Sequence, residues 1–157
     1  MAKLTHVDSL GKAKMVDIGG KSRTSREARA SCFIRLGPTA LRLVRENKIV
    51  KGDVLNTAAI AGIQAAKRTS NLIPLTHSIP LDFVDIETNL MKTGIKIICR
   101  VRTEAKTGAE MEAMTGSAAA ALTIYDMVKA ADKSARITRL QLDFKSGGKS
   151  GVYWRNK

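Results

Sequence analysis

The stretch DFVDIETNLMKTGIKIICRV, residues 82–101, alternates apolar and polar side chains on both sides of Lys92-Thr93-Gly94. In the first half Val84, Ile86 and Leu90 share a face; in the second, Ile95, Ile97, Cys99 and Val101 do. A two-residue period is that of a strand, and two such runs around a glycine-closed turn make a β-hairpin. Upstream, residues 22–36 alternate in the same way. Ala28, Ala30, Cys32, Ile34 and Leu36 face one side, while Arg29, Ser31 and Arg35 face the other. Gly37-Pro38 ends that strand and opens a short helix to Asn47, because proline suits a first helical turn. Asp53 caps a second helix in which Leu55, Ala59, Ile63 and Ala66 recur at helical spacing, fading near Ser70. The longest helix covers 109–131, and a last strand sets Leu140, Leu142 and Phe144 on one face before KSGGKSG at 145–151.

The order strand, helix, helix, strand, strand, helix, strand predicts an α+β fold. It is a ferredoxin-like βαββαβ domain with one extra helix, its antiparallel sheet carrying the helices on one face. One domain accounts for residues 1–157, with an irregular N-terminal arm at 1–21 and a flexible basic tail at 145–157.

Composition narrows the classes of function. Lys and Arg number 27 against 14 Asp and Glu, a net charge of +13. Such an excess favours anionic partners. The cations are spread along the chain and aromatics are only 4% of it, which suits a compact polyphosphate better than stacked nucleic acid. Cys32 and Cys99 are isolated and form neither a disulfide framework nor a zinc pattern, the usage of a reducing cytoplasm. Lys3, His6 and Asp8 interrupt any signal-like run, and no apolar stretch is long enough to span a bilayer.

Candidate chemistry comes in short pieces. Gly148-Lys149-Ser150 matches the end of a Walker A loop, but Asp143 stands where its first glycine belongs, and few residues remain for a following helix. What remains is an amide-rich run between two lysines, which reads equally as an anion wrap or a solvated tail. Lys51 stands beside a helix N-terminus, where free amides attract anions. Lys67-Arg68 reads first as a solvated helix end and second as a phosphate contact. His77 lies in the proline-bracketed loop IPLTHSIP, residues 73–80; with His6 the only other histidine, one chain cannot build a three-histidine metal site. Glu110 and Glu112 suit the first turn of the long helix, the macrodipole explaining Glu110 more fully than Glu112. Asp126 and Lys129 share a face of that helix in apolar surroundings, and partial burial of such a pair shifts both pKa values into use as acid or base.

Together these pieces resemble one family. MVDIGGK (15–21), TSREARA (24–30), KGDVLNTAAIAGIQAAKRT (51–69), LIPLTH (72–77), TGAEMEAMT (107–115), ALTIYDMVKA (121–130) and KSGGKSG (145–151) are similar to the cyclic pyranopterin monophosphate synthases of molybdenum cofactor biosynthesis. The resemblance implies conversion of 3′,8-cyclo-7,8-dihydroguanosine 5′-triphosphate to cyclic pyranopterin monophosphate, with loss of pyrophosphate. It implies Asp126 and Lys129 as catalytic, and Leu75, Thr76, His77, Met111 and Glu112 around the substrate. Lys51, Arg26, Lys67, Lys145 and Lys149 would surround the triphosphate. It implies no resident metal or cofactor, though it leaves room for a divalent ion with the triphosphate. It also implies a homohexamer, a trimer of dimers with sites shared between subunits, and a pathway neighbour in the radical S-adenosylmethionine GTP cyclase. Neither nucleic acid nor membrane is an expected partner. Thr76-His77-Ser78 departs from the commoner Cys-His-Pro, so no thiol nucleophile exists at 76. The rival reading, from charge alone, is a small basic RNA-binding protein without catalysis.

Overall fold

In the computed structural model, which describes residues 11–155, the elements run in the order strand, three helices, hairpin, helix, hairpin. They are β1 (Thr24–Arg35), α1 (Pro38–Arg45), α2 (Val54–Lys67), α3 (Thr69–Leu72), β2 (Phe83–Met91), β3 (Gly94–Ala105), α4 (Glu110–Val128), β4 (Arg136–Ser146) and β5 (Tyr153–Trp154). One sheet has the order β2-β3-β1-β4-β5 with every neighbour antiparallel. The first four strands are therefore arranged as in a ferredoxin-like fold, with β1 and β3 central.

The alternating runs explain the two layers. Ala28, Ala30, Cys32 and Ile34 of β1 and Ile95, Ile97, Cys99 and Val101 of β3 are all at most 1% exposed, and they face α1, α2 and α4. Leu90, expected on the same buried row, is 36% exposed, near the end of β2, the edge strand of the sheet.

Helix starts are fixed locally. Pro38 opens α1, and the Gly37 amide donates to Asp132 Oδ2 at 2.7 Å, tying that start to the loop after α4. Asp53 Oδ1 accepts from the Asn56 amide at 3.0 Å, the expected cap of α2.

Two expectations fail at the C-terminal end. β4 carries two register shifts against β1, between Arg29 and Ala30 and between Ser31 and Phe33, and Arg139 takes a φ of 55° within the second. Each bulge reverses the facing of the residues beyond it. Leu142 pairs with Ala30 on the core side, Phe144 pairs with Arg29 on the open side, and Leu140 is 43% exposed. The three do not share a face. Residues 145–155, expected as a loose tail, instead end β4, turn at Gly147–Gly151 and return as β5, whose Trp154 packs on Phe144 with ring centroids 4.4 Å apart.

α2 and α4 touch through glycine. A Cβ at Gly116 would lie 2.7 Å from the Cys99 sulfur and 3.2 Å from the Gly62 carbonyl oxygen. Gly116→Ala is therefore expected to destabilise the chain by about 1–3 kcal/mol through overpacking. Denaturant midpoints of the two proteins check this; equal midpoints would mean that the helices separate at no cost.

Candidate active site

α4 runs antiparallel to α2 and displays functional groups at both of its ends. At its N-terminus a cavity of about 290 Å³ opens between the 105–109 loop, the loop after α3 and residues 16–21. All five residues expected around a substrate line it: Leu75, Thr76, His77, Met111 and Glu112. The loop is locally built. Thr76 donates both its amide (3.1 Å) and its hydroxyl (2.8 Å) to the Ile73 carbonyl, so the residue replacing a cysteine secures the turn. His77 Nε2 lies 2.7 Å from the Val16 carbonyl oxygen. A carbonyl can only accept, so Nε2 holds the proton and a neutral His77 keeps its lone pair on Nδ1.

Glu112 is only 4% exposed although it stands in a first helical turn. Burial raises its pKa to about 7, with the charge of Glu110 adding to the effect. An acid whose folded pKa lies above its unfolded value stabilises the fold below the unfolded value, and that stabilisation is lost as pH rises towards 7. Glu112→Gln removes the titration. It is expected to be more stable than wild type at pH 8, on the order of 1–3 kcal/mol, with the difference closing near pH 4.5. Urea midpoints at the two pH values read this directly, and a mutant less stable at pH 8 would contradict the burial argument.

Cations gather behind the cavity. Lys145 Nζ lies 3.3 Å from Glu110 Oε1 and 2.6 Å from Ser150 Oγ. Arg26 donates to the carbonyls of Ala105 (3.0 Å) and Lys106 (3.4 Å), while Lys106 donates to that of Gly19 (2.6 Å). Lys149 is exposed in the neighbouring turn, and Lys67 is exposed in the last turn of α2, the end that α4 begins beside. Val16, Ile18, Lys21, Thr107 and Gly108 also line the cavity, none of them singled out from sequence. Their only signal there was membership of the MVDIGGK and TGAEMEAMT blocks.

The C-terminal end of α4 holds a second cluster. Asp126 receives Lys129 Nζ at 2.7 Å on Oδ1 and Lys51 Nζ at 2.7 Å on Oδ2, and Lys51 also reaches the Asp126 carbonyl oxygen at 3.0 Å. Lys51 thus sits with Asp126 and Lys129 instead of with Lys145 and Lys149. The expected partial burial is not found: the Asp126 and Lys129 side chains are 55% and 53% exposed. The shifts favour charge on both. Hydrogen bonds from Lys129 and then Lys51 lower Asp126 to about 2, and the Asp126 carboxylate raises Lys129. In the free chain the Asp126 carboxylate therefore favours the charged, ammonium form of Lys129.

The two clusters do not meet within the chain. Glu112 and Asp126 are 126 − 112 = 14 residues apart on one continuous helix, about 21 Å at ~1.5 Å per residue. A wider depression of about 590 Å³ on the open sheet face, among Arg29, Phe33, Lys96 and Trp154, includes none of the expected site residues. Among the described residues no group of three or more His, Cys, Asp or Glu is placed to hold a metal; His6 lies outside them. Among the same residues no helix is long and apolar enough to cross a membrane.

The MoaC family profile matches residues 15–148. The chain is 52% identical to a cyclic pyranopterin monophosphate synthase of Thermomicrobium roseum, over all of this chain and 95% of that protein. It is 52% identical to one from Methylobacterium sp. strain 4-46, over 98% and 97% of the two chains. It is also 48% identical to molybdenum cofactor biosynthesis protein 1 of Mus musculus, over 98% of this chain and 24% of that longer protein.

Proposed function

The chain belongs to the MoaC family, and from that premise we propose that it is the lyase that converts 3′,8-cyclo-7,8-dihydroguanosine 5′-triphosphate to cyclic pyranopterin monophosphate, releasing pyrophosphate. The observation that carries this reading is the cavity at the start of α4, which collects Leu75, Thr76, His77, Met111 and Glu112 from two distant segments. His77 Nδ1 accepts from, and protonated Glu112 donates to, the purine-derived ring. Lys145, Lys149 and Lys67 supply charge for the triphosphate, with Arg26 at the same end.

Ring opening and closure need proton transfers, and the cyclic phosphate forms when a hydroxyl attacks the α-phosphorus as pyrophosphate departs. The Lys51–Asp126–Lys129 cluster supplies a protonated amine beside a carboxylate for these steps. Because it lies about 21 Å from Glu112 along α4, the reading includes a two-fold contact that brings one subunit's cavity to its partner's Asp126 and Lys129. A hexamer of three such dimers, located in the cytoplasm, completes the proposal. The enzyme supplying the substrate would be the radical S-adenosylmethionine GTP cyclase.

Incubation with the cyclised GTP intermediate, followed by detection of pyrophosphate and the pterin product, tests the activity. No turnover under reducing conditions would sink it. The RNA-binding alternative finds no support in the names of the relatives, which concern pterin and cofactor synthesis.

A further inference from the structure

Arg26 projects from β1, and its guanidinium is engaged by backbone. Its two acceptors, the Ala105 and Lys106 carbonyls, begin the loop whose Thr107 and Gly108 line the cavity. Arg26 itself is not part of the cavity wall. On its other side the guanidinium meets Gly148, where any Cβ would overlap it, and a Cβ on Gly147 would overlap the Ser25 carbonyl. Both glycines also hold positive φ, 90° and 71°. Two successive positions thus need a bare, left-handed backbone, which glycine supplies without strain. The turn wraps a cation already hydrogen-bonded to the cavity loop. Lys145 opens that turn and reaches back to Glu110 on α4, and Lys149 projects from it.

From this arrangement we infer that Arg26 is a positioning residue, clamping the Gly147–Gly148 turn to the 105–108 loop so that Lys145 and Lys149 are presented to the phosphates. The inference rests on the proposed function for its ligand, and it separates Arg26 from the cations that touch phosphate. The planar guanidinium holds these two carbonyls in a fixed fork, a geometry that the point charge and rotating donors of an ammonium do not reproduce.

The test is calorimetric binding of inorganic pyrophosphate to wild type, Arg26→Ala, Arg26→Lys, Gly148→Ala and the Arg26→Ala/Gly148→Ala double variant, with trypsin cleavage after Lys149 followed in parallel. Arg26→Ala and Gly148→Ala are each expected to weaken pyrophosphate binding about tenfold, although Gly148→Ala keeps every cation. The double variant is expected to be no weaker than either single, because both remove the same clamp. Arg26→Lys restores nothing, and cleavage after Lys149 accelerates in both single variants. With the cyclised substrate, KM rises while kcat stays within about twofold. Unchanged affinity in Gly148→Ala, recovery by Arg26→Lys, or losses that multiply to about 100-fold in the double variant would each overturn the inference and make Arg26 a direct phosphate contact. If wild type itself fails to bind pyrophosphate, the proposed function falls instead. Cleavage then decides the clamp: an unchanged rate in Arg26→Ala overturns it, and a faster one sustains it.

Discussion

Lys129→Ala and Asp126→Ala proteins are expected to lose turnover by at least about 10²-fold, the usual contribution of a positioned proton-transfer group, while folding normally. Both side chains are more than half exposed, so neither contributes to the core. The physical reason for the loss differs between them. Lys129→Ala removes the ammonium itself. Asp126→Ala leaves Lys51 and Lys129 without the carboxylate that now holds each at 2.7 Å, and the two ammoniums then repel each other. Pyrophosphate affinity at the cavity end should stay within a few-fold of wild type in both, because both variants retain Lys67, Lys145 and Lys149. Steady-state kcat and pyrophosphate titration together check this, and near-normal kcat in Lys129→Ala would remove the cluster from the chemistry.

A second large effect is expected from two inactive proteins combined. His77→Ala destroys the cavity half and Lys129→Ala the ion-cluster half. If each working site takes one half from each of two chains, subunit exchange between these proteins creates some interfaces with both halves intact. Activity should rise from background to a sizeable fraction of wild type, up to about one quarter of the sites for random pairing in two-fold dimers. Exchange is verified first by mixing differently tagged chains. Verified exchange with no recovered activity would place both halves in one subunit, and α4, which separates them, would then rule out one of the assignments.

The fold was legible wherever alternation was unbroken. Ala28, Ala30, Cys32 and Ile34 recur at every second residue, as do Ile95, Ile97, Cys99 and Val101, and all are buried as read. Leu140, Leu142 and Phe144 alternate just as cleanly, yet two bulges place them differently. A bulge changes the count of residues between strands and leaves the pattern within one strand untouched. The outward Phe144 tolerates its position because Trp154, itself under the Arg29 guanidinium, packs on it, and β5, two residues long, is too short to show any period. The site was legible in a different way. His77, Glu112 and Met111 are ordinary residues one at a time, and the family blocks were what gathered them. Glu112 shows why local reading stopped short: a carboxylate in a first turn normally serves the helix dipole in water, and only the loops packed over it make it a buried acid. Lys51 and Asp126 lie 75 residues apart, so their contact is tertiary and no spacing announces it.

Trp154 is the only tryptophan of the chain, and it sits on a two-residue strand at the sheet edge, against Phe144 and with the Arg29 guanidinium 5.1 Å from its ring. Its emission therefore reports the docking of β5, with the cation and neighbouring ring acting as local modulators of the indole's brightness. Edge segments with few buried contacts detach at lower free energy than the core. In a urea titration the fluorescence signal is expected to change before circular dichroism records the loss of α2 and α4. Taken alone, the optical midpoint would describe the departure of the C-terminal strand, and a spectroscopist comparing the two probes would see non-coincident transitions although the core still unfolds in one step.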